Sequence, residues 1–197
     1  FIWNEYCDWY LELSKVALRD AARDEAALRG TRQTLVQVLE SVLRLLHPFM
    51  PFLTEEIWQS IAPLAGAARP TIMRQAYPRV DPARVDTAAS AELEWLKAVV
   101  LGVRTIRGEM NVAPGKSVDV LLRNGTENDN ERLQDNRTFL MQLARLGSIR
   151  FLEADEAVPA AATAFAGDLE ILVPLAGLID RDAELARLAR ELGRIEG

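Results

Sequence analysis

Apolar residues return at helical intervals through the first hundred positions and then switch to alternation, so the pattern predicts helices first and a small sheet afterwards. Ile2, Tyr6, Trp9, Leu13 and Val16 share one stripe from Phe1 to about Asp20, with Asn4, Glu5, Asp8, Glu12, Lys15 and Arg19 elsewhere. No capping residue precedes Phe1, so the chain is expected to begin inside a helix. Arg29-Gly30-Thr31 reads as a break, with Thr31 the N-cap of a second helix running to His47 through Leu35, Val38, Leu39, Val42, Leu45 and Leu46.

Pro48 and Pro51 cannot both sit inside one regular helix, because each lacks an N–H and crowds the preceding turn. LLHPFMPFLTEEIW is therefore expected to be a buried corner between helices. Thr54 is placed as the cap of the third helix, with Glu55 and Glu56 in its first turn facing the positive end of the dipole. That helix ends near Ala62-Pro63. Residues 65–82 read as a loop in which Thr71 to Tyr77 runs extended and anchors Ile72, Met73 and Tyr77. A fourth helix spans about Thr87 to Glu109, apolar at Leu93, Leu96, Val99, Val100, Val103 and Ile106.

The rhythm changes after Asn111-Val112-Ala113-Pro114-Gly115. Val118, Val120 and Leu122 alternate with Asp119, Leu121 and Arg123, a strand signal ending at the turn-forming Asn124-Gly125. Asp129 to Leu146 reads as a helix with Leu133, Leu140 and Leu143 inward and Gly147 just past its end. Ile149 to Leu152 is strand-like again, a possible β-α-β unit, and Gly167-Asp168 joins Ala162–Ala166 to Leu169–Leu175 as a hairpin. Asp180 or Asp182 caps a last helix with Leu185, Leu188, Leu192 and Ile195 at heptad-like spacing, expected to continue as a longer arm. The fold class is mainly α: a helical bundle (1–112), a small α/β or α+β domain (113–178), and the start of a coiled-coil helix (179–197).

Composition adds exclusions. No apolar run approaches the about 20 residues of a membrane helix and no signal-peptide pattern opens the chain, so a cytoplasmic protein is expected. One cysteine, Cys7, excludes an internal disulfide, and one histidine leaves no multi-ligand Cys/His metal site. The net charge of −6 argues against a generic polyanion binder. The charge is uneven, however: from Lys97 to Arg150 nine basic residues face six acidic ones, a local +3.

Candidate chemistry is sparse. Asp8-Trp9-Tyr10 reads as aromatic core beside a solvated carboxylate. His47 lies in a last helical turn, where it most simply donates to exposed carbonyls. Gly115-Lys116-Ser117 ends like a phosphate-binding loop, but the first glycine would fall at Met110 and the segment follows a helix instead of a strand, so that reading is rejected. On the fourth helix, at about 100° per residue, Lys97 and Arg104 fall nearly in line and Arg107 to one side. This basic stripe leads to Asn111 and Lys116, which could meet RNA phosphates. The competing reading is a solvated charged face.

HPFMPFLTEEIWQ resembles the elbow in the anticodon-binding helical domain of valyl-tRNA synthetases, relatives of the isoleucyl and leucyl enzymes. FIWNEYCDWYLELSK, IRGEMNVAPGKSVDVLL and LEILVPLAGLID followed by ELARLARELGRIEG agree in order and spacing, and the last pair resembles the bacterial valyl enzymes in particular. The resemblance implies a C-terminal piece that docks tRNA(Val) and works with upstream catalytic and editing domains. The HIGH and KMSKS signatures are absent, since the only histidine precedes Pro48 and the lysines are isolated at 15, 97 and 116. No cofactor is then expected in this chain, with ATP and Mg2+ used by the full-length ligase, and a monomer is expected. Arg187, Arg190 and Arg194 would begin a tRNA-binding arm; their competing reading is pairing within the helix. The resemblance also implies that helical-domain residues preceding Phe1 are missing. The rival assignment is a stand-alone helical module that binds protein.

Overall fold

In the computed structural model, which describes residues 1–20, 23–67, 70–153 and 156–176, helix boundaries follow capping chemistry more closely than apolar spacing. Two compact units divide between Val85 and Asp86. The change of rhythm near residue 112 falls where helix gives way to strand.

The first unit opens with a π-helical segment, Ile2–Tyr10, that passes directly into α1 (Leu11–Arg19). Tyr6, Trp9 and Val16 are buried, and the Tyr6 and Tyr10 rings stack at 5.7 Å, so the aromatic-core reading of Trp9 holds. Helix α2 (Glu25–Leu46) starts well before Thr31, because the Asp24 carboxylate accepts from the Ala27 N–H at 2.6 Å. Gly30 is therefore interior helix, and Thr31 turns its hydroxyl back to the Ala27 carbonyl.

The elbow also departs from expectation. Helix α3 (Pro51–Ile61) begins at Pro51 itself, since the first turn needs no N–H from its first residue. Thr54 is thus interior: its hydroxyl donates to the Met50 carbonyl at 2.8 Å and lies 2.8 Å from His47 Nδ1. His47 meets a hydroxyl, not the free carbonyls of its own helix. The corner is buried on one side only, with Thr54 and Trp58 inside and Phe49 and Phe52 exposed. Leu43, Trp58, Ala62 and Ile72 form the core beneath. Ile72 belongs to a 3-10 turn (Ile72–Arg74), while Met73 and Tyr77 are exposed instead of anchored. A second such turn spans Pro82–Arg84.

The second unit begins with α4 (Thr87–Glu109), capped by Asp86, which buries Leu96, Val99, Val100, Val103 and Ile106 as its spacing predicts. Strands β1 (Val118–Arg123), β2 (Leu146–Phe151), β3 (Ala161–Ala166) and β4 (Leu169–Pro174) form one sheet in the order β2-β1-β4-β3. β1 pairs parallel to β2 across α5 (Glu127–Leu143), while β4 pairs antiparallel to β1 and β3. The β-α-β unit and the Gly167 hairpin are both present, and Gly167 takes the left-handed conformation that the turn requires (φ +64). α5 starts at a Thr126–Asp129 capping box and stops at Ala144, earlier than Leu146. Gly147 consequently lies in β2, where a Cβ would meet Asp119 Oδ1 at 2.9 Å. α4 packs on β3, β4 and α5. The described residues are thus mainly helical, followed by a small mixed sheet; the expected last helix lies outside them, as do Arg187, Arg190 and Arg194.

Candidate nucleic-acid interface

The nine basic residues between Lys97 and Arg150 sort by what holds them. Lys97 is nearly buried, its side chain 9% exposed, and it pairs with Glu94 at 2.8 Å. It shares an angular position with Arg104 but not an exposed surface, which corrects its place in the basic stripe. Arg123 pairs with Glu170, Arg132 with Asp129 and Arg150 with Glu156. In the last pair, hydrogen bonds from Arg150 hold the Glu156 carboxyl down at about 2. A carboxylate partner cancels the charge that a phosphate would meet.

The remaining arginines donate to backbone carbonyls. Arg104 Nη2 reaches the Leu143 carbonyl at 3.1 Å, one of the acceptors left open at the end of α5. Arg107 Nη2 reaches the Ala113 carbonyl at 3.1 Å, Arg145 Nη1 the neighbouring Pro114 carbonyl at 2.5 Å, and Arg137 Nη1 the Ile149 carbonyl at 2.9 Å. A carbonyl fixes a guanidinium without removing its charge. The loop Ala113–Lys116 is thereby gripped from α4 on one side and from the α5–β2 junction on the other.

Local backbone shape produces this grip. Past α4, Asn111 is left-handed (φ 49) and the Val112 N–H bonds the Arg107 carbonyl at 2.9 Å, closing the helix and turning the chain back toward Arg107. Arg145, also left-handed (φ 54), directly follows the C-cap of α5. Asparagine tolerates that conformation better than most residues, and its role here is to end a helix. Lys116 is exposed on the same loop. The structure therefore brings Arg104, Arg107, Asn111 and Lys116 to one corner and leaves Lys97 out. Arg145 is a member that sequence reasoning missed, although a basic residue at a helix end was the available signal.

A second cationic feature lies within the first unit. Arg44 donates through Nε and Nη2 to Glu40 Oε2 at 3.0 and 2.8 Å, and through Nη1 to the Ala76 carbonyl at 2.6 Å. The other Glu40 oxygen accepts from Trp58 Nε1 at 3.0 Å. This relay ties the Ala76 carbonyl to α2, and Arg44 lines one wall of a cleft of about 780 Å³ that also includes Tyr77, Arg79 and Arg84. No apolar period marks such a cleft.

Acidic groups elsewhere are structural. Burial pushes the Glu55 carboxyl up, but hydrogen bonds from Gln59, Thr71 and the Ile72 N–H, together with His47, outweigh it and hold the group below its usual range. Among the described residues no cluster of His, Cys, Asp and Glu could hold a metal ion, and no helix is long and apolar enough to cross a membrane.

Residues 1–122, which run from the first helix to the next-to-last residue of β1, match the family model of the anticodon-binding domain of tRNA ligases. That match extends over more than half of the sequence and includes α4, its arginines and the loop they grip, so the chain belongs to this family and its role is tRNA binding.

Proposed function

We propose that the chain is the tRNA-docking part of a bacterial valine–tRNA ligase, with a helical anticodon-binding domain over 1–112, a small α/β domain over 113–178 and the beginning of a coiled-coil arm over 179–197. It holds tRNA(Val) so that catalytic and editing domains of the same protein, which use ATP and Mg2+, act on the acceptor end. The chain itself is non-catalytic, monomeric and cytoplasmic. Arg104, Arg107, Asn111 and Lys116 contact phosphates, joined by Arg145, while Arg187, Arg190 and Arg194 extend the contact along the arm. The observation that carries this reading is that Arg107 and Arg145 are positioned by carbonyls and, among the described residues, join no ion pair. Such side chains keep their charge for a phosphate and lose little orientational freedom on binding.

The test is affinity for a tRNA(Val) transcript across a salt series. Each phosphate contact removed should lower the slope of log K against log salt by about one. Arg107→Gln and Arg145→Gln should each do so, whereas Lys97→Gln should leave the slope unchanged because Glu94 already holds that charge. Equal slopes for all four proteins would refute the assignment. Tighter binding of tRNA(Val) than of a tRNA with another anticodon supports the valine identity.

The exposed Phe49, Phe52 and Leu53 around the start of α3 favour a second reading, a helical module that binds protein. Protein binding that is insensitive to salt, without tRNA affinity, would establish it.

A further inference from the structure

We propose that the cleft between α2 and residues 76–84 is a seat for one unpaired ribonucleotide, with the base stacked on Tyr77 and the phosphate held by Arg79 and Arg84. The proposal rests on the RNA-binding reading but uses residues of the first unit only, none of which belongs to the corner around Ala113–Lys116.

Four features converge. The volume, about 780 Å³, lies in the range of about 300 to 1,000 Å³ typical of small-ligand sites. The wall is rigid: Arg44 is clamped by Glu40 and holds the Ala76 carbonyl, and Pro78 and Pro82 restrict the backbone on either side of Arg79. Tyr77 is 61% exposed, a large planar ring left facing solvent at the cleft. Arg79 is exposed and makes no hydrogen bond or ion pair among the described residues.

The remaining charges decide the ligand's sign. Arg44 is neutralised by Glu40, and Arg84 lies 3.2 Å from Asp81 with both side chains more than half exposed. Asp81 is already engaged by the Ala83 N–H at 3.1 Å, so it stays as a cap when Arg84 swings to a phosphate. An exposed pair of this kind is weakly held. The cleft thus offers one unpaired cation, a second easily released, and an aromatic face, which suits an anion attached to a flat ring. A paired base has both faces covered by its neighbours and cannot use Tyr77, so the ligand is single-stranded.

The probe is a fluorescein-labelled oligoribonucleotide of mixed sequence, single-stranded or annealed to its complement, titrated with the whole chain. Tyr77→Ala should weaken single-strand binding about tenfold and leave duplex binding unchanged. Tyr77→Phe should stay within about twofold of wild type, and Tyr77→Trp should bind at least as tightly as the parent. Arg79→Gln should lower the salt slope by about one for the single strand. If wild type binds RNA and all four variants match it on both strands, the cleft is overturned while the RNA-binding reading stands. If wild type binds neither form at low salt, that reading fails and takes the cleft with it. If Tyr77→Ala and Arg79→Gln instead abolish binding of an oligoglutamate peptide without affecting RNA, the cleft belongs to an acidic protein partner and the nucleotide proposal is wrong.

Discussion

Glu40 is the residue whose loss should cost the first unit most for a single polar group. Its carboxylate is buried, accepts the indole N–H of Trp58 at 3.0 Å and receives two hydrogen bonds from Arg44. In Glu40→Ala the Trp58 N–H, on a side chain with 0% exposure, loses the acceptor it has among the described residues. An orphaned buried donor costs about 1–3 kcal/mol. Arg44 keeps 21% of its side chain in solvent and can rehydrate, so the broken ion pair adds only about 1 kcal/mol. The expected total is about 2–4 kcal/mol. Glu40→Gln retains an acceptor for Trp58 and forfeits mainly the charge, so it should cost about 1 kcal/mol.

Native-state hydrogen exchange at the amides of α2 and α3 reads this without assuming that both units unfold together. At about 1.4 kcal/mol per decade, protection of Val42, Leu43 and Trp58 should fall by about 30- to 700-fold in Glu40→Ala and by about fivefold in Glu40→Gln. Adding Trp58→Phe to Glu40→Ala removes the orphaned donor, so the double variant should be more stable than the sum of the two single losses by about 1–2 kcal/mol. Strict additivity, or equal protection in Glu40→Ala and Glu40→Gln, would refute the view that the indole bond is the costly element.

Two further outcomes follow from local geometry. Gly30→Ala should stabilise the first unit by about 0.5–1 kcal/mol in urea titrations, because the site is interior helix with nothing within 4 Å of an added Cβ, whereas Gly125→Ala should destabilise the second by about 1–3 kcal/mol, its Cβ colliding with the Phe151 ring. The Glu55 carboxyl is held below its ordinary 4.5, so its contribution is complete above that pH and is lost as pH falls through the lower folded value. Urea midpoints of the first unit should therefore decline below pH 4.5 in wild type and more shallowly in Glu55→Gln; parallel declines would exclude Glu55 as a source.

The elements that sequence revealed best are those whose limits are set by residues within them. α4 carries its apolar stripe and cap locally, and its ends fall at Thr87 and Glu109 as the spacing predicts. The hairpin around Gly167 is similarly local. Misjudged boundaries share a different cause. Gly30 lowers helix propensity by about 1 kcal/mol, but in a 22-residue helix capped at Asp24 that local penalty is outweighed. Pro51 is excluded from a helix interior, but at the first position its missing N–H is harmless and the helix starts there.

The candidate site was half legible for a related reason. A helical wheel gives the angle of Lys97 and Arg104 but not what lies over each, and Glu94 with the surrounding core removes Lys97 from the surface. Nor can it show that Ala113 and Pro114 turn their carbonyls toward Arg107 and Arg145, since that depends on left-handed residues at two helix ends.

A chain of net charge −6 must approach a polyanion against its own average field. At physiological salt the screening length is about 8 Å, so a phosphate at the surface feels mainly the nearest few side chains. What matters is then the identity of each cation's immediate partner. Glu94, Glu170, Asp129 and Glu156 each neutralise a basic residue and pass nothing on to a ligand. The Ala113 and Pro114 carbonyls leave Arg107 and Arg145 charged and aimed, with the exposed Lys116 on the same loop. In the proposed docking, local attraction by a few such groups, inside an acidic whole that repels elsewhere, would favour one register of a folded RNA over indiscriminate adhesion to any polyanion.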